Sequence, residues 1–273
     1  MRLNPSSSVD DPNNLGKRIE VCNFCRHPLT EKLTEFDGRL YPFGDYEPCE
    51  CAENIENTAK WKEAFQIKAE PLFAEAKRKR VALRYKECNL PARWEKRTFE
   101  VFNVNASNEV AYDAALEYVK QFDRDNGTGL LLGGTVGTGK THLAAAITMA
   151  LMDEEYKVVF GTVNSLLSKI RYSYSDDQAD TEAELFERYT TCDLLVIDDL
   201  GKERVSDWTE QIVFDIINTR YENNKALVIT TNLGLKEIKA KYRENGEALI
   251  DRLLEMCKGI KLEGDSWRRK AIG

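Results

Sequence analysis

The run Leu130-Leu131-Leu132, followed by Gly133-Gly134-Thr135-Val136-Gly137-Thr138-Gly139-Lys140-Thr141, constrains this chain more than any other stretch. An apolar strand empties into a turn of the form G-x-x-x-x-G-K-T, and a helical stretch follows from His142. Gly134, Gly137 and Gly139 let the backbone curl into a nest whose amides point at anionic oxygens, a packing that Cβ atoms would crowd. Lys140 adds a positive charge, Thr141 offers a hydroxyl to Mg²⁺, and the helix N-terminus favours a phosphate. Thr135, Val136, Thr138 and His142 complete the loop. The expected ligand is a nucleoside triphosphate.

Beyond this loop, strand and helix alternate, as an α/β domain requires. Residues 157–161 form a short β-rich run, 164–172 an amphipathic helix, and 176–184 an acidic polar stretch. Leu194-Leu195-Val196-Ile197 is a continuous apolar run, which suits a strand of a parallel sheet buried on both faces. It ends in Asp198-Asp199, beside the expected phosphates. Asp198 is therefore assigned, with Thr141, to Mg²⁺, and Asp199 to orienting the attacking water. A helix over 207–221 buries Trp208, Ile212, Val213, Ile216 and Ile217 on one stripe and carries Arg220. The strand at 226–230 leads into Thr231-Asn232. Asn232 should stand near the terminal phosphate, because the C-terminal ends of parallel strands line the ligand crevice.

Charge and cysteine usage bound the remaining possibilities. Lys plus Arg number 39 against 46 acidic residues, a net charge of −7, so no global basic field draws the chain to nucleic acid. No apolar run approaches the roughly 18 residues of a membrane span, and the N-terminus lacks a signal-peptide core. A cytoplasmic protein with mostly reduced thiols is expected. Of its 7 cysteines, Cys22 and Cys25 form C-x-x-C and Cys49 and Cys51 form C-x-C, separated by turn-forming residues. Two such pairs can close a tetrahedral Zn²⁺ site with Zn–S of about 2.3 Å. His27 is an alternative ligand; an iron–sulfur site, a redox pair and plain buried thiols are the other readings. Cys88, Cys192 and Cys257 stand alone and receive no role.

Between the cysteines and the nucleotide loop the chain reads as a helical connector. Residues 54–85 lack glycine and place Trp61, Phe65, Leu72, Phe73, Ala76 and Leu83 at loosely helical spacing, and Asn89-Leu90-Pro91 ends the pattern. Lys77, Arg78, Lys79, Arg80, Arg84, Lys86, Arg93, Lys96 and Arg97 form a basic cluster here. It reads either as a phosphate-contacting surface or as a solvated helix face.

Six motifs occur in a fixed order: GTVGTGKTHL (134–143), LLVIDDLG (194–201), NTRY (218–221), ITTNL (229–233), IDRL (250–253) and GDSWRR (264–269). Together they resemble the AAA+ ATPases of the DnaC/DnaI helicase-loader group and the related IstB transposition helpers. The resemblance implies an α/β AAA+ P-loop ATPase with a parallel β-sheet core, preceded by a small zinc-binding N-terminal domain and a helical connector. The corresponding divisions are 1–60, 61–97 and 98–273. It further implies that Arg220 is an arginine finger reaching a neighbouring subunit's site, that Asn232 is the first sensor, and that Arg252 contacts the γ-phosphate as the second. The implied function is ATP-dependent loading of a replicative hexameric DNA helicase onto single-stranded DNA at replication initiation, with self-association, in a bacterial cytoplasm or a phage-infected host. Lys169, Arg171 and Tyr172 fall where relatives contact single-stranded DNA. Asp198-Asp199 departs from the more frequent Asp-Glu, so Mg²⁺-dependent hydrolysis is expected to be slow. A transposition helper on duplex DNA and a weakly hydrolysing nucleotide-sensing adaptor are the alternatives.

Overall fold

Successive residues of the central strands face opposite sides, and the structure covers both sides with helices. The computed structural model describes residues 6–10, 18–22, 31–36, 39–46, 74–172, 180–264 and 266–267, with side chains from residue 74 onward. The chain divides into two compact units, 1–76 and 77–273.

In the first unit, β1 (Ser6–Asp10) pairs antiparallel with β2 (Arg18–Cys22), and β3 (Glu31–Phe36) with β4 (Arg39–Tyr46). Cys22 ends β2, opposite Ser6. The four-cysteine proposal, with His27, depends on side chains outside the described residues.

α1 (residues 74–88) begins in the last residues of the first unit and lies mostly in the second. The second unit continues through α2 (Glu109–Lys120), β5 (Gly129–Gly134), α3 (Lys140–Asp153), β6 (Val158–Thr162), α4 (Val163–Tyr172), α5 (Glu182–Thr191) and β7 (Leu194–Leu200). It ends with α6 (Asp207–Glu222), β8 (Ala226–Thr231), α7 (Leu235–Lys241), α8 (Gly246–Met256) and β9 (Cys257–Leu262). The strands form one parallel sheet in the order β6-β7-β8-β5-β9. Leu130, Leu132, Leu194, Val196 and Val228 face a core shared with α2 and α3, whereas Leu131, Leu195, Ile197, Leu227 and Ile229 face the core on the other side. Burying one such leucine contributes about 1.5–3 kcal/mol, which is why these strands tolerate almost no polar residue until they end.

Three elements differ from the sequence reading. Residues 77–97 belong to the second unit rather than to a separate connector, because Cys88 and Leu90 are buried in the α2/α3-side core and Arg80 pairs with Glu155 at 2.6 Å. The end of the acidic stretch starts α5, whose capping box joins Thr181 and Glu184 reciprocally. β9 extends the sheet past β5, an edge strand that the residues CKGIKL did not signal. Among the described residues, no helix is long and apolar enough to cross a membrane.

Candidate nucleotide site

β5 delivers the chain to the glycine-rich loop with two close approaches that only glycine permits. Gly134 has φ 141°, and a Cβ there would lie 2.0 Å from the Leu262 carbonyl oxygen of β9. Gly139 caps α3 in the left-handed region (φ 104°), where a Cβ would lie 2.9 Å from the Phe102 ring. The nest is therefore shaped by its protein neighbours. Val136, Gly137, Gly139, Lys140, Thr141 and His142 line a cavity of about 340 Å³. Gly134 and Thr135 line a different hollow beside β9, and Thr138 is buried, its hydroxyl donating to the Thr135 carbonyl at 2.9 Å.

Lys140 is 5% exposed and folds back over its own loop, donating to the carbonyls of Gly134 (2.8 Å) and Thr135 (2.6 Å). His142 meets the Thr98 carbonyl through Nε2 at 2.9 Å, and burial holds its pKa below the usual imidazole value.

The sheet supplies the carboxylates. Asp198 is 4% exposed, and its Oδ1 accepts from the hydroxyls of Thr141 (2.9 Å) and Thr230 (2.6 Å). Burial raises its pKa above the usual carboxylate value. Such a desolvated carboxylate, joined to the loop threonine, fits a divalent cation. Thr230 also accepts from the Asp199 amide at 2.9 Å, so one β8 hydroxyl sets the positions of both acids. The β7–β8 register shifts between Ile197 and Leu200, and Asp199 adopts φ 59°. This strained turn aims Asp199 into the cavity, where its carboxylate accepts from Lys202 at 2.6 Å. Asn232, just past β8, lines the same cavity.

The raised carboxyl pKa means that ionised Asp198 is less well accommodated folded than unfolded, so its ionisation opposes folding as pH rises above the carboxylate range. Asp198→Asn keeps both threonine bonds and removes the charge. In the absence of ligands it is expected to raise stability by about 1 kcal/mol while lowering nucleotide turnover about 100-fold or more. Thermal melting and steady-state hydrolysis measure the pair; a destabilised variant with normal turnover would refute the assignment.

The two family arginines fall elsewhere. Arg220 is fully buried and cannot reach another subunit. Its guanidinium donates to the carbonyls of Tyr189 (2.8 Å), Cys192 (3.0 Å), Asp193 (3.5 Å) and Ala226 (2.5 Å), and to Cys192 Sγ at 3.3 Å. The finger expectation is corrected: this arginine ties α5, β7 and β8 together from inside. Arg252 on α8 lies outside the cavity, donating from Nε to Asn218 Oδ1 at 3.0 Å, with its guanidinium 5.3 Å from the centre of the Tyr221 ring. A γ-phosphate contact within its own chain is likewise not the arrangement seen.

The basic cluster also resolves into parts. Arg80 pairs with Glu155 and Arg84 with Glu87, whereas Arg93 and Arg97 line the nucleotide cavity. Of the residues read as DNA contacts, Lys169 bonds Asn89, Arg171 stacks 4.6 Å from the Trp208 ring centre, and Tyr172 is exposed. Sequence reasoning missed Thr230, Arg93, Trp94, Arg97, Phe102, Lys202 and Trp267. Trp267 sat within a quoted motif, and its amide donates to Gly137 O at 3.1 Å. Thr230 also sat within one, ITTNL, and the others converge only through tertiary structure.

A family model described as IstB-like ATP binding protein matches residues 50–272. The replicative helicase loader DnaC of Buchnera aphidicola subsp. Baizongia pistaciae is 30% identical over 161 residues, 59% of this chain and 64% of that protein. DnaC of Escherichia coli K12 is 29% identical over 178 residues, 64% of this chain and 71% of that protein. A crystal structure of the DnaC helicase loader superposes with TM-score 0.55 and 27% identity, covering 63% of this chain and all of that one. The shared fold is that of an AAA+ P-loop ATPase.

Proposed function

From the premise that this chain belongs to the IstB-like ATP-binding protein family, we propose that it is an ATP-dependent loader of a replicative DNA helicase. One observation carries the ATP chemistry. Lys140, Thr141, Asp199 and Asn232 meet in a single cavity at the C-terminal ends of parallel strands, and Thr141 bonds buried Asp198. The helicase assignment rests on the likeness to DnaC proteins, of which the chain spans 64% and 71% of the length.

In this reading the loop amides and Lys140 bind the phosphates of ATP or ADP, and Thr141 with Asp198 holds Mg²⁺, which neutralises phosphate charge. Asp199 orients the attacking water. Its carboxylate is engaged by Lys202 and is one methylene shorter than that of glutamate, so it holds the water less well; turnover is slow and ATP acts mainly as a switch. The chain self-associates, and Arg252, partly exposed and outside its own cavity, is the family arginine available to a neighbouring copy. Single-stranded DNA is the destination of the helicase, with Tyr172 offered for base stacking.

Residues 1–60 form the helicase-binding part, with Zn²⁺ on Cys22, Cys25, Cys49 and Cys51, and the residues that follow lead into the ATPase unit at 77–273. The full chain is expected to retain a hexameric replicative helicase in a nucleotide-sensitive manner and to contain about one zinc. A chain lacking 1–60, or one stripped of metal by a chelator, should lose the helicase. Retention by the truncated chain would remove the N-terminal assignment, and a metal-free full chain that still binds would remove zinc.

A further inference from the structure

The nucleotide cavity has a basic wall that the loop motif does not account for. Lys140, Lys202, Arg93 and Arg97 all line it, and Asp199 is the one acidic lining residue among those described. Lys140 is directed at its own loop carbonyls, and Lys202 is paired with Asp199. Arg93 and Arg97 remain: both are exposed, and neither has an ion-pair partner among the described residues.

Their segment is held in place by short-range bonds. Asn89, at φ 63°, ends α1; the Trp94 amide donates to Pro91 O at 2.8 Å and the Arg97 amide to Trp94 O at 2.9 Å. The next residue, Thr98, is tied to His142 at the start of α3. Arg93 rests over Trp94, 4.9 Å from the ring centre. Trp94 lines both the nucleotide cavity and an adjoining cavity of about 390 Å³ that reaches Asp198. Trp94, beside Arg93, therefore joins the nucleotide cavity to the hollow that reaches Asp198, the carboxylate assigned to the metal.

We propose that Arg93, aided by Arg97, is a phosphate-binding arginine of this site, contacting the terminal phosphate of ATP. The inference rests on the ATP reading above. A guanidinium is always charged, and its planar fork matches two phosphate oxygens, so an unpaired arginine at a phosphate site is poised for bidentate binding. Because Arg93 follows α1 closely, the presence of the γ-phosphate would also fix the end of that helix.

The test is equilibrium binding of ATP and ADP to the full chain, alongside Arg93→Ala and Arg93→Lys. Arg93→Ala is expected to weaken ATP about tenfold and ADP no more than about threefold, with an unchanged melting temperature; Arg93→Lys should recover part of the loss. Hydrogen exchange over residues 92–97 should slow with a non-hydrolysable ATP analogue in the parent chain and not in Arg93→Ala. Equal losses for ATP and ADP, or ATP binding equal to that of the parent, would overturn the proposal. A parent chain that binds neither nucleotide would instead overturn the ATP reading itself.

Discussion

Lys140→Ala is expected to raise the dissociation constant for ATP by about 100-fold or more, equivalent to about 2.7 kcal/mol, and to weaken ADP comparably. Two losses add here. The positive charge at the phosphates disappears, and the carbonyls of Gly134 and Thr135 lose the donor that holds the loop in shape. The fold should survive, because α3 is anchored by Leu143, Ile147, Leu151 and Met152 rather than by its first residue. Isothermal titration together with thermal melting separates the two effects. Undiminished affinity in a folded variant would remove the phosphate-loop reading.

Arg220→Ala is expected to act on stability instead. The substitution leaves buried carbonyls of Tyr189, Cys192, Asp193 and Ala226 without their donor and opens a cavity where a long side chain stood. Breaking a buried hydrogen-bonded charge of this kind costs about 3–5 kcal/mol, which lowers the melting temperature by on the order of 10 °C in a domain of this size. Arg220→Lys should recover only part of it, since one ammonium cannot span acceptors on α5, β7 and β8. If Arg220→Ala melts normally and loses only turnover in the assembled state, the finger expectation returns and the structural account is wrong.

The Arg220 case shows where sequence reading stops. NTRY placed the arginine correctly near the end of α6, but a motif carries no information on whether its side chain faces solvent, another copy or the interior. The strands β5, β7 and β8 were legible for a physical reason: buried on both faces, they are continuous apolar runs that end where polar groups can reach the crevice. β9 was not, because as an edge strand it alternates buried Cys257, Ile260 and Leu262 with exposed Lys258, Gly259 and Lys261. α5 hid in an acidic stretch because its buried stripe is only Leu185, Tyr189 and Thr190.

The candidate site divides along the same line. Residues read from backbone shape or from strand ends announce themselves by local pattern: Gly137, Gly139, Lys140, Thr141, Asp199 and Asn232 line one cavity, and Asp198 is bonded to Thr141. The role of Thr230 is not legible in this way, since it depends on β8 lying beside β7, so that one hydroxyl reaches both acids. Arg93 and Arg97 were visible as charge but not as part of the site, because the turn after α1 that carries them to the loop is a tertiary feature.

The most direct measurement of the whole account is helicase delivery. A hexameric replicative helicase is mixed with circular single-stranded DNA, with or without this protein and ATP, and the helicase stably bound to the circle is counted. The account predicts a marked increase that requires ATP and is absent with Lys140→Ala. No increase in bound helicase, with ATP-dependent coating of duplex DNA instead, would contradict it.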